Sequence, residues 1–172
     1  MSRDFPDWVN PEKAAASRRE FTGTLPLSRM TRLAELIEDP GDAEVAFELS
    51  FASDEQHQVR VLVSVSGEVP MRCQRTLGIY RQPIASQSVV GVVASEREAD
   101  ALPENYEPKL CTDQQLLLLE LIEEEILLGL PLVPVDPESE RIGDDSPPSD
   151  TQRPFAALAD LKKKRDPNSS KE

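Results

Sequence analysis

Apolar and polar residues alternate over the middle of the chain. The apolar members of the two clearest runs are Val45, Phe47, Leu49 and Phe51, and, after a polar turn at 53–57, Val59, Val61, Val63 and Val65. A period of two is typical of a strand with one buried face, so these runs predict a β-hairpin. Val69, Met71 and Cys73 continue the period, and a β-branched run covers 84–93. The pattern predicts an antiparallel sheet of four or more strands.

Shorter elements are predicted before the sheet. Asn10 and Pro11 suit the N-cap and first position of a helix that runs to about Arg18. Residues 19–25 then have the composition of a strand. Ser28 is expected to cap a second helix with one apolar face, formed by Met30, Leu33, Leu36 and Ile37 and closed by Asp39, Pro40 and Gly41.

A leucine-rich helix is predicted after the sheet. Residues 95–108 are acidic, contain two prolines and resemble an exposed loop. From Asp113 to Leu128, leucines and acidic residues then recur at helical spacing. Gly129 suits a C-terminal cap, and Pro131 and Pro134 forbid further helix.

The glutamates of this helix divide between two faces. On a helical wheel Glu120, Glu123 and Glu124 lie within one arc, which is predicted to be solvated. Glu125 falls between Leu118 and Leu121 and is predicted to point toward the core. Because buried charge is rarely left unpaired, we interpret Glu125 as a buried structural acid satisfied by an arginine or by backbone N–H groups. A functional role is the alternative, but no second acid, nucleophile or metal-ligand cluster accompanies it in the sequence.

The composition changes at Asp136. Residues 136–152 have almost no apolar side chains, which predicts a disordered acidic linker. Residues 153–172 then predict a short amphipathic helix and a basic tail. The apolar face of this helix, formed by Phe155, Leu158 and Leu161, is expected to bind a partner or the domain. Its cationic end is a candidate RNA contact and consists of Lys162, Lys163, Lys164 and Arg165.

Length and charge narrow the class of protein. With 172 residues the chain can bury one good core, so we expect a single α+β domain over 1–135, in which an antiparallel sheet packs with a few helices. The formal net charge of −13 argues against a broad nucleic-acid-binding surface and favours basic protein partners. Two cysteines, Cys73 and Cys111, are too few for a disulfide framework. No secretory segment or membrane span is indicated, so a cytoplasmic protein is expected.

No motif indicates catalysis, a cofactor or a metal. Cys73 could bind zinc only with a second sulfur at the position of Thr76, so a buried strand cysteine flanked by exposed arginines is expected. Those arginines, Arg72 and Arg75, are further candidate RNA contacts. The single histidine, His57, lies in a turn and cannot form a metal site alone.

Four segments, in order, resemble the YceD family, the bacterial large ribosomal RNA subunit accumulation proteins. The segments are RCQR at 72–75, ALPENYEP at 101–108, LIEEEILLGLPLVP at 121–134 and PFAALADL at 154–161, and the resemblance as a whole covers nearly the whole chain. The resemblance implies a role in the production or maturation of large-subunit (23S) ribosomal RNA, and it implies no enzymatic activity.

The chain departs from the family pattern at two places. Many relatives have Cys-x-x-Cys where this chain has Cys73 and Thr76, and a histidine where it has Asp136. Some have another cysteine near Glu140 and Arg141. These family positions look like a small metal site. Only Cys73 remains of the set here, so the shared function should need no metal.

Three hypotheses follow for the function. The first is a non-catalytic factor that supports ribosomal RNA accumulation through ribosome-assembly or RNA-processing proteins, such as a basic ribosomal protein, with at most a limited RNA contact. The second is direct RNA binding through Arg72, Arg75 and the basic tail. The third is an RNA-processing enzyme that holds Mg²⁺ through Glu123, Glu124 and Glu125. Consecutive residues point around a helix instead of converging on one ion, which counts against the third.

Overall fold

A computed structural model describes residues 6–139, which form an α+β domain. Its main sheet has the strand order β2-β3-β4-β5-β6, and β1 pairs with β7 in a separate two-stranded sheet. The strands are β1 (Trp8–Val9), β2 (Glu20–Pro26), β3 (Glu44–Ser53), β4 (Val59–Arg72), β5 (Ile79–Val93), β6 (Glu107–Leu110) and β7 (Leu116–Leu117). The helices are α1 (Pro11–Ala16), α2 (Glu96–Ala99) and α3 (Leu118–Gly129).

The predicted antiparallel pairing is confirmed for β3, β4 and β5, and the strand predicted over 19–25 is β2, which pairs antiparallel with β3 in the same sheet. The apolar residues of β3 are buried and the residues between them are largely exposed, as their alternation predicted. Helix α1 packs on β3 and β4, and α3 packs on β4 and β5. The core therefore lies between one face of the sheet and these helices.

Two details of the predicted sheet were wrong. The run Val69-Met71-Cys73 is no separate strand, because β4 continues through Gly67 to Arg72. The segment 95–108 is not wholly a loop, because it contains α2 and leads into β6, which pairs parallel with β5. The crossover through α2 brings the chain back to the free edge of β5, and Pro108 is tolerated because β6 is itself an edge strand.

The predicted second helix is replaced by two short 3₁₀ turns, Leu27–Arg29 and Leu33–Glu35. Leu27, Met30 and Leu33 are fully buried, whereas Leu36 is 62% exposed. Buried residues at intervals of three match the three residues per turn of a 3₁₀ helix and not the 3.6 of an α-helix. Met30 has an extended backbone, which separates the two turns.

The leucine-rich helix begins at Leu118 and not at Asp113. Gln114 has a left-handed backbone, with φ of 58°, and the next residues form β7. The predicted glycine cap was also wrong, because the helix ends at an extended Leu130. Gly129 is needed for close approach instead: a Cβ there would lie 3.2 Å from the Cβ of Ser86 on β5.

Glu123 is buried, against the prediction of a solvated face, and is only 4% exposed. Its Oε1 accepts hydrogen bonds from the backbone N–H groups of Arg32 at 2.7 Å and of Leu33 at 2.9 Å. These donors begin the second 3₁₀ turn, and a helix start leaves such N–H groups without a partner inside the helix. Glu123 therefore joins α3 to the segment between β2 and β3.

We expect Glu123→Ala to destabilise the domain by about 2 to 3 kcal/mol, since it leaves a buried and a partly buried backbone donor without their charged acceptor. Glu123→Gln should cost less, because its amide oxygen still accepts. The exposed Glu120 is the matched control on the same helix, and Glu120→Ala should change stability by less than about 0.5 kcal/mol. Urea unfolding measures all three variants, and equal midpoints for the two alanine variants would contradict this role.

Candidate functional site

The turn between β4 and β5 is held by its own backbone. The Cys73 N–H donates to the carbonyl of Gly78 at 2.8 Å, and the Leu77 N–H donates to the carbonyl of Cys73 at 2.8 Å. Leu77 has a left-handed backbone, with φ of 60°. We call residues 73–78 the Cys73 turn.

The segment that leaves α3 lies against this turn. The Gln74 N–H donates to the carbonyl of Pro134 at 2.8 Å, and the Asp136 N–H donates to the Cys73 sulfur at 3.3 Å. Arg75 donates from Nη1 to the carbonyl of Ser139 at 2.6 Å. We call residues 130–139 the exit segment. Residues 136–139, which the composition assigned to a linker, thus pack on the turn.

Cys73 is fully buried at this junction. A hydrogen bond from the Thr76 side chain, together with backbone N–H groups that include that of Asp136, lowers the pKa of Cys73 to about 6, although burial acts in the opposite direction. The Ser139 hydroxyl lies 4.0 Å from the sulfur. Cys73 therefore follows the strand instead of belonging to it, and its sulfur is an acceptor that joins two segments.

The two candidate RNA-binding arginines have partners within the domain. Arg72 binds the carboxylate of Glu38 through Nε at 2.8 Å and Nη2 at 3.0 Å, and it donates to the carbonyl of Leu77 at 3.0 Å. Arg75 holds the exit segment through Ser139. Both side chains stabilise the turn, so an RNA contact through them stays a prediction. The other predicted partner-binding and RNA-binding residues, Phe155, Leu158, Leu161, Lys162, Lys163, Lys164 and Arg165, lie outside the described residues.

Exposed apolar side chains occur in the Cys73 turn, at the first residue of β5 and in the exit segment. Leu77 and Ile79 are 64% and 63% exposed, and Leu132 and Val133 are 102% and 64% exposed. The hydrogen bond between Gln74 and Pro134 sets the two segments side by side. We call these four residues the apolar patch. Grouped apolar exposure of this kind marks an interaction surface more often than scattered single residues do.

A cleft of about 370 Å³ lies between α3 and the edge formed by β5 and β6. Glu125 is 3% exposed and accepts hydrogen bonds from the hydroxyls of Ser86 and Ser88. Its predicted burial is confirmed, but its partners are serine hydroxyls and not an arginine or backbone N–H groups. Burial raises the pKa of Glu107 in the same cleft, and the nearby carboxylates of Glu125 and Glu124 add to the effect.

Glu124, which lies between Glu123 and Glu125 in the sequence, faces cations at the rim of this cleft. Its carboxylate lies 2.7 Å from Lys109 Nζ and 3.2 Å from Arg32 Nη1. Consecutive carboxylates on α3 therefore have separate partners: backbone N–H groups for Glu123, cations for Glu124 and hydroxyls for Glu125. This arrangement does not bring the three together around one ion.

Comparison with known proteins identifies the family. A family model described as "Large ribosomal RNA subunit accumulation protein YceD" matches residues 61–162. A relative from Haemophilus influenzae with the same description is 33% identical over 171 residues, which cover 93% of this chain and 97% of that protein. The chain belongs to the YceD family. No solved structure matches it.

The metal site that the YceD resemblance implies for relatives can be tested on this geometry. Cys73, Thr76 and Asp136 do converge at the turn. The donors do not suit a metal, because Asp136 offers its backbone N–H to the sulfur while its Oδ1 accepts from the Glu138 N–H at 2.9 Å. In residues 6–139 no group of three or more His, Cys, Asp or Glu side chains is arranged to hold a metal ion.

Sequence reasoning missed Glu123 and the serine partners of Glu125. Ser86 and Ser88 alternate with the outer residues of β5 and share the core face of Ile84 and Val90. Polar residues at core positions were therefore a visible signal of a buried polar partner. Nothing local to Glu123 indicated the donors, which come from 91 residues earlier in the sequence.

Within residues 6–139, no helix is long and apolar enough to cross a membrane.

We expect the purified chain to carry no stoichiometric zinc. A structural zinc site needs four ligands, and the turn offers one thiol with a carboxylate that faces its own backbone. Elemental analysis of protein purified without chelator measures the content directly. About one zinc per chain that is lost in Cys73→Ser would contradict this expectation.

We expect Glu125→Ala to destabilise the domain by about 2 to 4 kcal/mol, since a buried carboxylate with two hydroxyl donors is removed. We also replace Ser86 and Ser88 by alanine, both in the wild-type chain and in Glu125→Ala. The loss of unfolding free energy from the serine changes should be smaller in Glu125→Ala than in the wild-type chain, because groups in one hydrogen-bond network are not additive. Glu124→Ala is the control, and its partly exposed ion pairs should contribute no more than about 1 kcal/mol. Purely additive urea-unfolding energies would show that the serines do not stabilise Glu125.

Proposed function

We propose that this chain is a non-catalytic factor that supports the accumulation of large-subunit ribosomal RNA by binding protein partners. Such a factor would work in the cytoplasm, where ribosomes are assembled. The family description supplies the process, since relatives are described as large ribosomal RNA subunit accumulation proteins. The observation that carries the mode of action is the apolar patch on the Cys73 turn and the exit segment.

The backbone that carries the apolar patch is restricted before a partner binds, as in a preformed docking surface. Leu132 and Val133 lie between Pro131 and Pro134, so the backbone that presents them is restricted before any partner arrives. The hydrogen bonds from Gln74 and Asp136 hold that backbone on the turn. A preorganised apolar surface binds with less loss of conformational freedom than a flexible one.

The charge of the domain favours a basic partner. The face of the sheet opposite α3 carries exposed carboxylates at Glu20, Glu44 and Glu48 of β2 and β3 and at Glu68 of β4. An acidic surface speeds encounter with basic proteins such as ribosomal proteins, and it repels naked RNA. We therefore favour a basic ribosomal protein or a processing factor as the partner of this surface.

The other two hypotheses have less support. RNA contact through Arg72 and Arg75 would compete with their hydrogen bonds to Glu38 and Ser139. A metal-dependent reaction through Glu123, Glu124 and Glu125 would require these carboxylates to leave three separate sets of partners. The predicted docking helix with Phe155, Leu158 and Leu161 stays part of the proposal as a second partner-binding element.

We expect Leu77→Ser with Leu132→Ser to reduce the proteins that co-purify with the tagged full-length chain and to lower large-subunit ribosomal RNA in cells. Loss of apolar contact area should weaken binding without unfolding, because both side chains are exposed. Leu110→Ser with Leu128→Ser is the matched control, since these leucines are also exposed but belong to β6 and α3 and not to the turn or the exit segment. Purification is repeated after RNase treatment, and circular dichroism melts check the fold.

Three outcomes decide the proposal. Partners that survive RNase and are lost only in the patch variant support it. Partners that vanish with RNase in the wild-type chain would replace it with RNA-mediated association. Wild-type recovery with the patch variant would reject the patch, and Phe155→Ala with Leu158→Ala would then show whether the tail is the partner-binding element.

A further inference from the structure

A second cleft lies where β1 meets α1, and its charge differs from that of the domain. It encloses about 280 Å³ and is lined by Trp8, Asn10, Lys13, Ser17 and Arg19 among others, and none of its lining residues within 6–139 is a carboxylate. Three other clefts among the described residues each include carboxylates: Glu107, Glu124 and Glu125 in one, Glu12 and Glu98 in another, and Glu48 in the third. In a chain of net charge −13, a cleft whose charged lining residues are both cations, Lys13 and Arg19, favours an anionic ligand.

The cations of this cleft are available to a ligand. Lys13 and Arg19 are exposed, as is the adjacent Arg18. The ion pairs found in residues 6–139 involve Arg32, Arg72 and Lys109 and none of these three side chains. The Arg19 guanidinium lies 4.9 Å from the centre of the Phe21 ring, which holds it in place without neutralising its charge.

Trp8 adds a flat aromatic surface beside these cations. It is 48% exposed, unusual for the largest apolar side chain. Its backbone is fixed by pairing opposite Leu117 in the β1–β7 sheet and by the Leu118 N–H, which donates to the carbonyl of Asp7 at 3.1 Å. Sites for single-stranded nucleic acid combine an aromatic side chain, on which a base stacks, with cations that neutralise the phosphates. The half-exposed indole of Trp8 and the cations of this cleft have the same combination.

We propose that this cleft binds single-stranded RNA, with a base stacked on Trp8 and the backbone phosphates contacted by Lys13, Arg18 and Arg19. An acidic peptide would satisfy the cations but leaves the indole without a flat partner, so RNA fits both features. The site is separate from the apolar patch. This proposal rests on the proposed function at one point, which is the choice of ribosomal RNA as the polyanion, because the family description names that RNA.

The test uses the intrinsic fluorescence of the full-length chain, because Trp8 is its only tryptophan. A mixed-sequence single-stranded RNA of about 12 nucleotides, within the range of known single-strand sites, is titrated at low salt. We expect saturable quenching and an affinity that falls as salt is added. With labelled RNA, Trp8→Ala should weaken binding about fivefold or more, whereas Trp8→Phe, which can still stack, should recover most of it.

Charge-reversal variants separate this cleft from general electrostatics. Lys13→Glu with Arg19→Glu should remove binding, whereas Arg29→Glu with Arg97→Glu makes the same change in net charge at exposed positions outside the cleft and should leave most of it. Urea unfolding checks that each variant is folded. Loss of affinity in Trp8→Ala without recovery in Trp8→Phe, or equal losses in the two charge-reversal pairs, would overturn the proposal.

Two further outcomes also overturn it. The first is an absence of quenching when RNA is added to the wild-type protein. The second is equally tight binding of a polyglutamate peptide of equal charge, which would assign the cleft to an acidic protein. Either result leaves the apolar patch untouched, because the partners of the patch are measured after RNase treatment. Conversely, failure of the patch variant leaves the fluorescence titration interpretable.

Discussion

Helix α3 carries two buried carboxylates, and its leucines can pack only where both carboxylates find donors. Glu123 needs the N–H groups of Arg32 and Leu33, and Glu125 needs the hydroxyls of Ser86 and Ser88. An unsatisfied buried carboxylate costs more than a leucine contact supplies, so these bonds fix the rotation and height of the helix on the sheet. Apolar contacts alone would tolerate a small slide along β5. The contact between Gly129 and Ser86 adds a steric limit at the end of the helix.

The position of α3 determines where the chain goes next. Because the helix ends beside β5, the prolines that follow direct the exit segment toward the Cys73 turn. The backbone N–H of Gln74 and the sulfur of Cys73 then receive it. Two segments that are about sixty residues apart in the sequence thus form one surface, and the surface depends on the same hydrogen bonds that orient the helix.

The sequence predicted those features that depend on local periodicity. The alternation in β3 and β4 predicted which face of each strand is buried. Asn10 and Pro11 predicted the start of α1, and the helical wheel of α3 predicted that Glu125 is buried. Features set by distant partners were not predictable in the same way. Glu123 lies on the polar arc of the wheel and is buried only because a 3₁₀ turn offers it donors. Likewise, β6 was not recognised because its pairing depends on the free edge of β5 and not on its own short, proline-containing sequence.

The candidate site was predictable only in part for the same reason. The family segments indicated that the Cys73 turn and the exit segment matter, but the sequence did not show that they touch. Arg72 is exposed, as was expected of the flanking arginines, but the sequence did not show that Arg72 and Arg75 have partners within the domain. In the structure, Glu38 and the carbonyl of Ser139 bind them, and both partners are distant in sequence.

The junction at Cys73 is joined by hydrogen bonds between the turn and the exit segment. In relatives with two cysteines and a histidine, a metal would join the turn to the exit segment, as the resemblance implies. Here the same two segments are joined by the N–H of Asp136 on the Cys73 sulfur, by Gln74 on Pro134 and by Arg75 on Ser139. Each of these bonds contributes about 1 kcal/mol, well below the stabilisation that a structural zinc provides. The prolines compensate by restricting the exit segment before it docks, so fewer conformations are lost when the turn receives it. In this chain these bonds hold the exit segment, which carries the exposed Leu132 and Val133, against the Cys73 turn, which carries the exposed Leu77.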